Sequence, residues 1–327
     1  MEGRPIWGIL GTGGIAKLFT RDILGEGLAV EAVGSRTKEG AEAFGESFGI
    51  ARRHGSYEAL LADPGVDIVY VSTPHPFHHP NALAALRAGK HVLLEKPFTI
   101  NAAQARELVE TARAKGLFLM EAMWTRFLPT FRRLREIIAS GTIGEVVAVL
   151  ADHNQYLPME KAPRLHLPEL GGGALLDLGV YPITLAHLFL GAPERVQASA
   201  TLTELKVDRQ MSLILSYASG AQASLQCSMS ALGPNRAFVV GSLGRVEIES
   251  VWYNQSAFTV YSRDGEAVER YAETVRNRGM QYQAFEAERC MLAGEIESPL
   301  MSHAASLEIM EIMDDARAQT GVKYPME

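Results

Sequence analysis

Two cysteines among 327 residues, Cys227 and Cys290, are too few for a disulfide framework. Each sits among apolar neighbours, so both read as reduced packing residues. Positive charge is also in short supply: 31 Lys and Arg against 38 Asp and Glu leave a formal charge of −7, with no Lys/Arg-rich run. That speaks against a nucleic-acid partner, whose phosphates call for a basic face. No apolar run approaches the ~18 residues that suggest a membrane span, and no basic-then-apolar leader precedes the first strand. The expectation is therefore a cytoplasmic protein with no membrane partner. Repeats of fixed period and low-complexity tracts are missing too. What remains is the composition of a globular protein, 47% hydrophobic and 21% charged, at a length that favours two domains.

The apolar run Ile6 to Leu10 leads directly into Gly11-Thr12-Gly13-Gly14-Ile15-Ala16, a G-x-G-x-x-A turn between a strand and a helical pattern. In that context the first glycine permits the tight turn and the second lets backbone approach a pyrophosphate. Ala16 keeps the helix close to its strand, and the helix N-terminus faces the phosphates. Gly11, Thr12, Gly13, Gly14 and Ile15 are accordingly candidate cofactor contacts. A second strand, Leu28 to Gly34, ends where an acid would hold an unphosphorylated ribose; Ser35-Arg36-Thr37-Lys38 stands there instead. A hydroxyl and a guanidinium suit a 2′-phosphate that a carboxylate would repel, so Ser35, Arg36 and Lys38 favour NADP over NAD.

The alternation continues with helices over 41–48, 57–62, 81–88 and 102–115 and strands over 66–72, 91–94 and 117–121. Such alternation predicts a doubly wound parallel sheet. Two of its strand ends carry chemistry. One is Thr73-Pro74-His75-Pro76-Phe77-His78; the other is Glu95-Lys96-Pro97, following the buried run Val92-Leu93-Leu94. Carboxyl ends of strands are where open α/β sheets place ligands. Thr73, Pro74, His75, His78, Glu95 and Lys96 are therefore candidate contacts to cofactor or substrate. No metal site is expected at His75, His78 and His79, because no carboxylate or thiolate completes one nearby in sequence.

Beyond a helix over 131–140 and a strand over 146–154, the pattern changes. A Pro-punctuated loop over 157–170 could border a site. Gly171-Gly172-Gly173 then precedes an apolar helical stretch to Leu190. On a continuous helix Asp177 and Tyr181, four apart, share a face. A phenol with its usual pKa near ~10 needs a nearby ammonium before it can serve as a base at neutral pH, and Lys96 is the natural cation. From physics alone a capping Asp and a packed Tyr remain open, and Gly179 and Pro182 could break the helix. Strand signals over 196–203, 211–217, 222–229, 238–241, 246–249 and 258–262 predict a large, mostly antiparallel sheet with one face on the 174–190 helix. Helices over 280–292 and 304–318 close the chain, with Met291, Met301, Met310 and Met313 read as core.

Together, Gly11 to Ala16, Glu95-Lys96-Pro97 and Gly171 to Tyr181 make the chain resemble the Gfo/Idh/MocA family of NAD(P)-dependent oxidoreductases. A fourth motif, Met120-Glu121-Ala122-Met123-Trp124-Thr125-Arg126-Phe127-Leu128-Pro129, is similar to the branch holding dihydrodiol and NADP-dependent D-xylose dehydrogenases. The resemblance implies a doubly wound (Rossmann) NADP-binding domain over 1–122. It also implies an α/β domain over 123–327 for substrate binding and oligomerisation, with an open sheet that pairs subunits into a homodimer or homotetramer. Lys96 would point at the reacting hydroxyl, with Glu95 orienting it. Trp124 and Arg126 would border the cofactor, although by themselves they read equally as a core aromatic and a surface ion-pair partner. A cis bond before Pro97 is a further implication. Tyr181 stands where many members have His, in keeping with the branch in which tyrosine is the acid/base. The resulting expectation is a dehydrogenase acting on a carbinol of a sugar, polyol or cyclic diol, with catalytic Lys96, Asp177 and Tyr181. A non-catalytic NADP-binding redox or sugar sensor on the same fold is the alternative.

Overall fold

The computed structural model describes residues 4–327, in order β1 (Trp7–Leu10), α1 (Gly14–Leu24), β2 (Val30–Gly34), α2 (Lys38–Phe48), β3 (Arg52–His54), α3 (Tyr57–Leu61), β4 (Ile68–Val71), α4 (His78–Arg87), β5 (His91–Glu95), α5 (Ala102–Lys115) and β6 (Leu119–Ala122). Next come α6 (Pro129–Ala139), β7 (Val146–Asn154), α7 (Val180–Leu190), β8 (Arg195–Leu202), β9 (Asp208–Ser216), β10 (Gln222–Ser228), β11 (Ala237–Gly241), β12 (Gly244–Ile248), β13 (Phe258–Ser262), β14 (Ala267–Tyr271), α8 (Gln281–Leu292) and α9 (His303–Thr320). Two compact units result. One takes the chain up to Thr99 with Ala103–Phe127 and Arg276–Ser306; the other takes Ile100–Ala102, Leu128–Val275 and Leu307–Glu327.

The first unit holds a six-stranded sheet in the order β3-β2-β1-β4-β5-β6, every pair parallel. β1, β4 and β6 are buried along their whole length, as strands covered by helices on both faces must be. The order reverses between β1 and β4, which opens a crevice at their carboxyl ends. Segment 276–306 belongs here for a physical reason. The buried Asp22 carboxylate of α1 accepts the Met280 and Arg278 amides at 3.0 and 3.2 Å, and Glu288 of α8 accepts from Trp7 Nε1 at 2.9 Å.

β3 is not legible in the sequence because Arg52-Arg53-His54 has no apolar face. It is an edge strand held by side chains: Arg53 donates to Glu42 at 2.8 Å, and His54 and Arg52 reach Asp63 at 3.0 and 3.3 Å. β14 is a second unforeseen edge strand, charged in the same way, with Glu269 paired to Arg133 at 2.9 Å.

The second unit holds an eight-stranded sheet, β14-β13-β12-β11-β7-β10-β9-β8, antiparallel except between β7 and β10. Its strands alternate. Met211, Leu213 and Leu215 of β9 and Ala223, Leu225 and Cys227 of β10 are buried, while their neighbours face outward. One correction arises here. The stretch Pro168–Leu190 is long and apolar enough to cross a membrane, contrary to the expectation that no such run exists. It is a core helix, with every residue from Val180 to Ala186 buried. Cys227 and Cys290 are free and buried, and Met301, Met310 and Met313 are core, whereas Met291 is half-buried.

Candidate active site

The glycine turn is shaped for an anion. Gly11 has φ +104°, and a Cβ there would stand 3.1 Å from Ser72 Oγ, so the turn admits only glycine without strain. Gly13 caps α1 with no side chain on the free amides, no acid lies in the first turn, and a Cβ on Gly13 or Gly14 would meet nothing within 4 Å. The cradle is thus open and presents uncapped N–H groups. Thr12 Oγ1 lies 3.5 Å from Ser35 Oγ, which joins the turn to the end of β2. Ile15 is half-buried, Ser35 is buried, and the side chains of Arg36 and Lys38 are exposed at the start of α2. Gly40 comes within 3.1 Å of the Thr37 hydroxyl that caps this helix.

The other two strand ends are knitted together by His78. Its ring lies 2.8 Å from both the Thr73 and the Pro97 carbonyls, joining the loop after β4 to the loop after β5. Burial and the neighbouring His75 push the imidazolium down to about 3, against the two carbonyls that favour it. The neutral ring carries one N–H and so donates to only one of the two carbonyls at a time. Thr73 also accepts from Asn81 at 3.2 Å, while Pro74 opens a short 3-10 turn through the buried His75. His79 pairs with Glu107 of α5 at 2.8 Å, a carboxylate 28 residues further along the chain. Among the described residues no group of three or more ligands could hold a metal ion.

Glu95 is buried at the end of β5. Tyr70 OH donates to its Oε1, and the Lys96 amide donates to Oε2 at 3.2 Å. Phe19 stacks on Tyr70 at 3.8 Å, so the carboxylate is fixed from below by an aromatic pair. The Lys96–Pro97 bond is cis, as the resemblance implied. Trp124 and Arg126, in the turn after β6, are both buried, so Arg126 is not the surface ion-pair partner that its residue type allows; Arg278 lies 5.3 Å over the Trp124 ring.

Glu121, on β6, lies inside the fourth motif, where no local pattern sets it apart. It accepts from Ser306 Oγ at 2.8 Å and from the Phe98 amide, holding the residue that follows Pro97. Burial pushes its carboxyl up to about 7, offset in part by those two donors and by Arg126. Because the folded value exceeds the ordinary one, the stability linked to Glu121 is full below about pH 4.5 and is lost as pH rises through 7, a span worth roughly 3 kcal/mol. Glu121→Gln removes that dependence. Urea unfolding at pH 5 and pH 8 should show the wild type losing stability relative to the variant by an amount of this order. Asp208, also raised to about 7 by burial, retains its own part of the slope in the variant.

In the second unit the helix expected across Asp177 and Tyr181 does not run as a plain α-helix. A π-turn spans Leu175–Gly179, in which Val180 N–H reaches back to the Leu175 carbonyl, and α7 follows. Pro182 has no N–H to give the preceding turn, and a Cβ at Gly179 would stand 2.9 Å from Cys227 Sγ. Glycine at 179 admits the Cys227 side chain, and π-bulges of this kind recur at functional sites. Asp177 accepts from Arg164 of the 157–170 loop at 2.9 Å, so a loop charge holds this carboxylate. Tyr181 lies edge-on to His153 of β7, ring centroids 4.9 Å apart, and 5.5 Å from Tyr253. His153 stacks on Tyr253 at 3.7 Å and accepts from Gln155 Nε2 at 2.9 Å. His153 and Tyr253 carry no motif that would have found them. The loop over 157–170 borders a groove of about 590 Å³ whose walls include Tyr156, Met159, His166, Arg209 and Met229.

Two family models match. "Oxidoreductase family, NAD-binding Rossmann fold" covers residues 6–123, and "GFO/IDH/MocA C-terminal domain" covers 131–247. The chain is 37% identical to trans-1,2-dihydrobenzene-1,2-diol dehydrogenase of Mus musculus over 98% of both chains. It is 38% identical to D-xylose 1-dehydrogenase (NADP(+)) of Hypocrea jecorina over 98% of this chain and 93% of that one. Among solved structures it matches the 3-ketoreductase KijD10 of Actinomadura kijaniata in complex with NADP and TDP-benzene, at 31% identity, TM-score 0.84 and coverage of 97% and 98%. It also matches the aldose-aldose oxidoreductase of Caulobacter crescentus, complexed with glycerol, at 26% identity, TM-score 0.88 and coverage of 98% of each chain. Sheet order, glycine turn and these full-length likenesses agree: the chain belongs to the Gfo/Idh/MocA family of oxidoreductases.

Proposed function

We propose that this protein is an NADP-dependent dehydrogenase acting on a carbinol carbon of a sugar, polyol or cyclic diol, or running the reverse reduction. The observation that carries the reading is likeness over 98% of the chain to enzymes named for a dihydrodiol and for D-xylose with NADP(+). The residues present fit the cofactor: an uncapped helix N-terminus at Gly13, an open glycine cradle, and Arg36 in place of an acid after β2. NADP, when bound, supplies the hydride acceptor at nicotinamide C4. Gly11 to Ile15 hold the pyrophosphate, Ser35, Arg36 and Lys38 the 2′-phosphate, and Thr73 to His78, Glu95, Trp124 and Arg126 border the nicotinamide half. Lys96 holds the substrate oxygen as the hydroxyl proton passes to Tyr181, and Asp177, kept in place by Arg164, positions substrate or Tyr181.

The segment over 1–122 serves the cofactor, together with Trp124 and Arg126 and with 276–306 packed in the same unit, and the rest of 123–327 serves the substrate and subunit pairing. The outward face of the eight-stranded sheet carries Leu150 and Ile214, 41% and 38% exposed, which suits pairing of that face in a homodimer or homotetramer. The protein works in the cytoplasm.

The test is NADP reduction, followed by nicotinamide absorbance, across aldoses, cyclic polyols and trans-dihydrodiols. Turnover of one class supports the proposal. Tight NADP binding with no turnover in either direction would favour a sensor. Arg36→Ala should raise the KM for NADP by about tenfold or more, the loss of one charge-assisted contact, and leave that for NAD nearly unchanged. Equal effects on both would put the 2′-phosphate elsewhere.

A further inference from the structure

The three glycines before the π-turn are explained by neither cofactor nor substrate. A Cβ on Gly172 would stand 2.6 Å from the Leu165 carbonyl oxygen and 2.9 Å from that of Leu167. Gly173 has φ +111°, and its Cβ would stand 2.1 Å from Asp208 Oδ1. On one side, then, the turn admits the 157–170 loop, to which Gly173 N–H and Gly172 N–H donate at 2.8 and 3.1 Å. On the other side it admits a single carboxylate.

That carboxylate is wholly buried at the start of β9. Its Oδ2 accepts the Leu175 amide at 2.6 Å, the N–H that opens the π-turn, and the Ala174 amide donates to it as well. Around it stand Cys227 from β10, Tyr324 from the C-terminal segment and Arg317 from α9. Arg317 is itself engaged by Asp314 and Glu327 at 2.8 and 2.7 Å, and Tyr324 OH donates to the Gly172 carbonyl at 2.7 Å. Burial pushes Asp208 up to about 7, a cost that an apolar residue packed there would not carry. A carboxyl group buried at such cost, with its oxygen on the Leu175 amide, is placed to orient the helix that this amide opens.

We infer that Asp208 is a positioning residue, which fixes the entry of the segment carrying Asp177 and Tyr181 and, through Gly173 and Leu165, the loop carrying Arg164. This rests on the reading of Asp177 and Tyr181 as catalytic. The position of Gly173 is part of the same device, because only glycine leaves room for the carboxylate.

The experiment compares Asp208→Ala, Asp208→Asn, Gly173→Ala and the Asp208→Ala/Gly173→Ala pair in the full chain, well below each melting temperature. In Asp208→Ala, hydrogen exchange over 174–181 should rise about tenfold, and kcat should fall about ten- to a hundredfold, the scale of an ångström's misplacement. NADP affinity should stay within about twofold in the same variant, since no cofactor contact changes. Asparagine, which keeps an oxygen for the Leu175 amide, should restore part of kcat. Gly173→Ala should cost less in the Asp208→Ala background than alone, because the clash has gone. Unchanged exchange over 174–181 would overturn the inference. So would a lowered melting temperature with kcat intact, when Tyr181→Phe is inactive. If Tyr181→Phe is fully active as well, the reading of the site fails and the inference goes with it.

Discussion

Lys96→Met should lower kcat by about a thousandfold or more, with NADP affinity held within about threefold and the fold intact, if Lys96 supplies both charge stabilisation and proton transfer. Methionine matches the length of the lysine stem and lacks only the ammonium. The backbone on either side of it is held by other groups. The Lys96 amide is bonded to Glu95, Glu95 is held by Tyr70 over Phe19, and the Phe98 amide that follows Pro97 is held by Glu121. A loss of turnover in a variant that melts normally and still binds NADP is then chemical. Near-normal turnover would remove Lys96 from the mechanism and would leave the Glu95-Lys96-Pro97 tripeptide as a structural turn.

Much of this architecture is legible in the sequence because it rests on local periodicity. The helix over 102–115 and the strands over 146–154 and 258–262 lie where their apolar patterns put them, residue for residue. The glycine turn is legible because a strand, three small residues and a helix pattern stand in one line. What is not legible has tertiary causes. β3 and β14 lie at sheet edges, where charged side chains replace the apolar face that marks a strand. The π-turn at Leu175–Gly179 repeats at five residues rather than four, and Cys227, from a strand far along the chain, leaves room only for glycine at its end. Segment 276–306 joins the first unit through Asp22 and Trp7, partners more than 250 residues away. The buried carboxylates Glu121 and Asp208 look like any surface acid until their donors are known. Arg164 shows the same limit within the site, since only folding reveals that it holds Asp177. The sequence names the candidate groups, and the partners that hold them come from elsewhere in the fold.

Tyr181→Phe isolates the proton from the packing. The phenylalanine ring fills the same place edge-on to His153 and beside Tyr253, so the aromatic cluster persists and the melting temperature should move little. What disappears is the one hydroxyl proposed to take the substrate's proton, a function worth about a hundred- to ten-thousandfold in kcat. The KM for substrate should change less than kcat, because an interaction made chiefly in the transition state is being removed. The pairing with Lys96 is open to a sharper check. If the two groups act on one proton, Lys96→Met combined with Tyr181→Phe should be barely slower than the worse single variant, whereas independent roles would multiply. Multiplicative losses would mean that Lys96 binds substrate on its own account and that some other group, His153 being the nearest titratable ring, assists the phenol. Full activity in Tyr181→Phe alone would transfer the acid/base role away from α7 altogether.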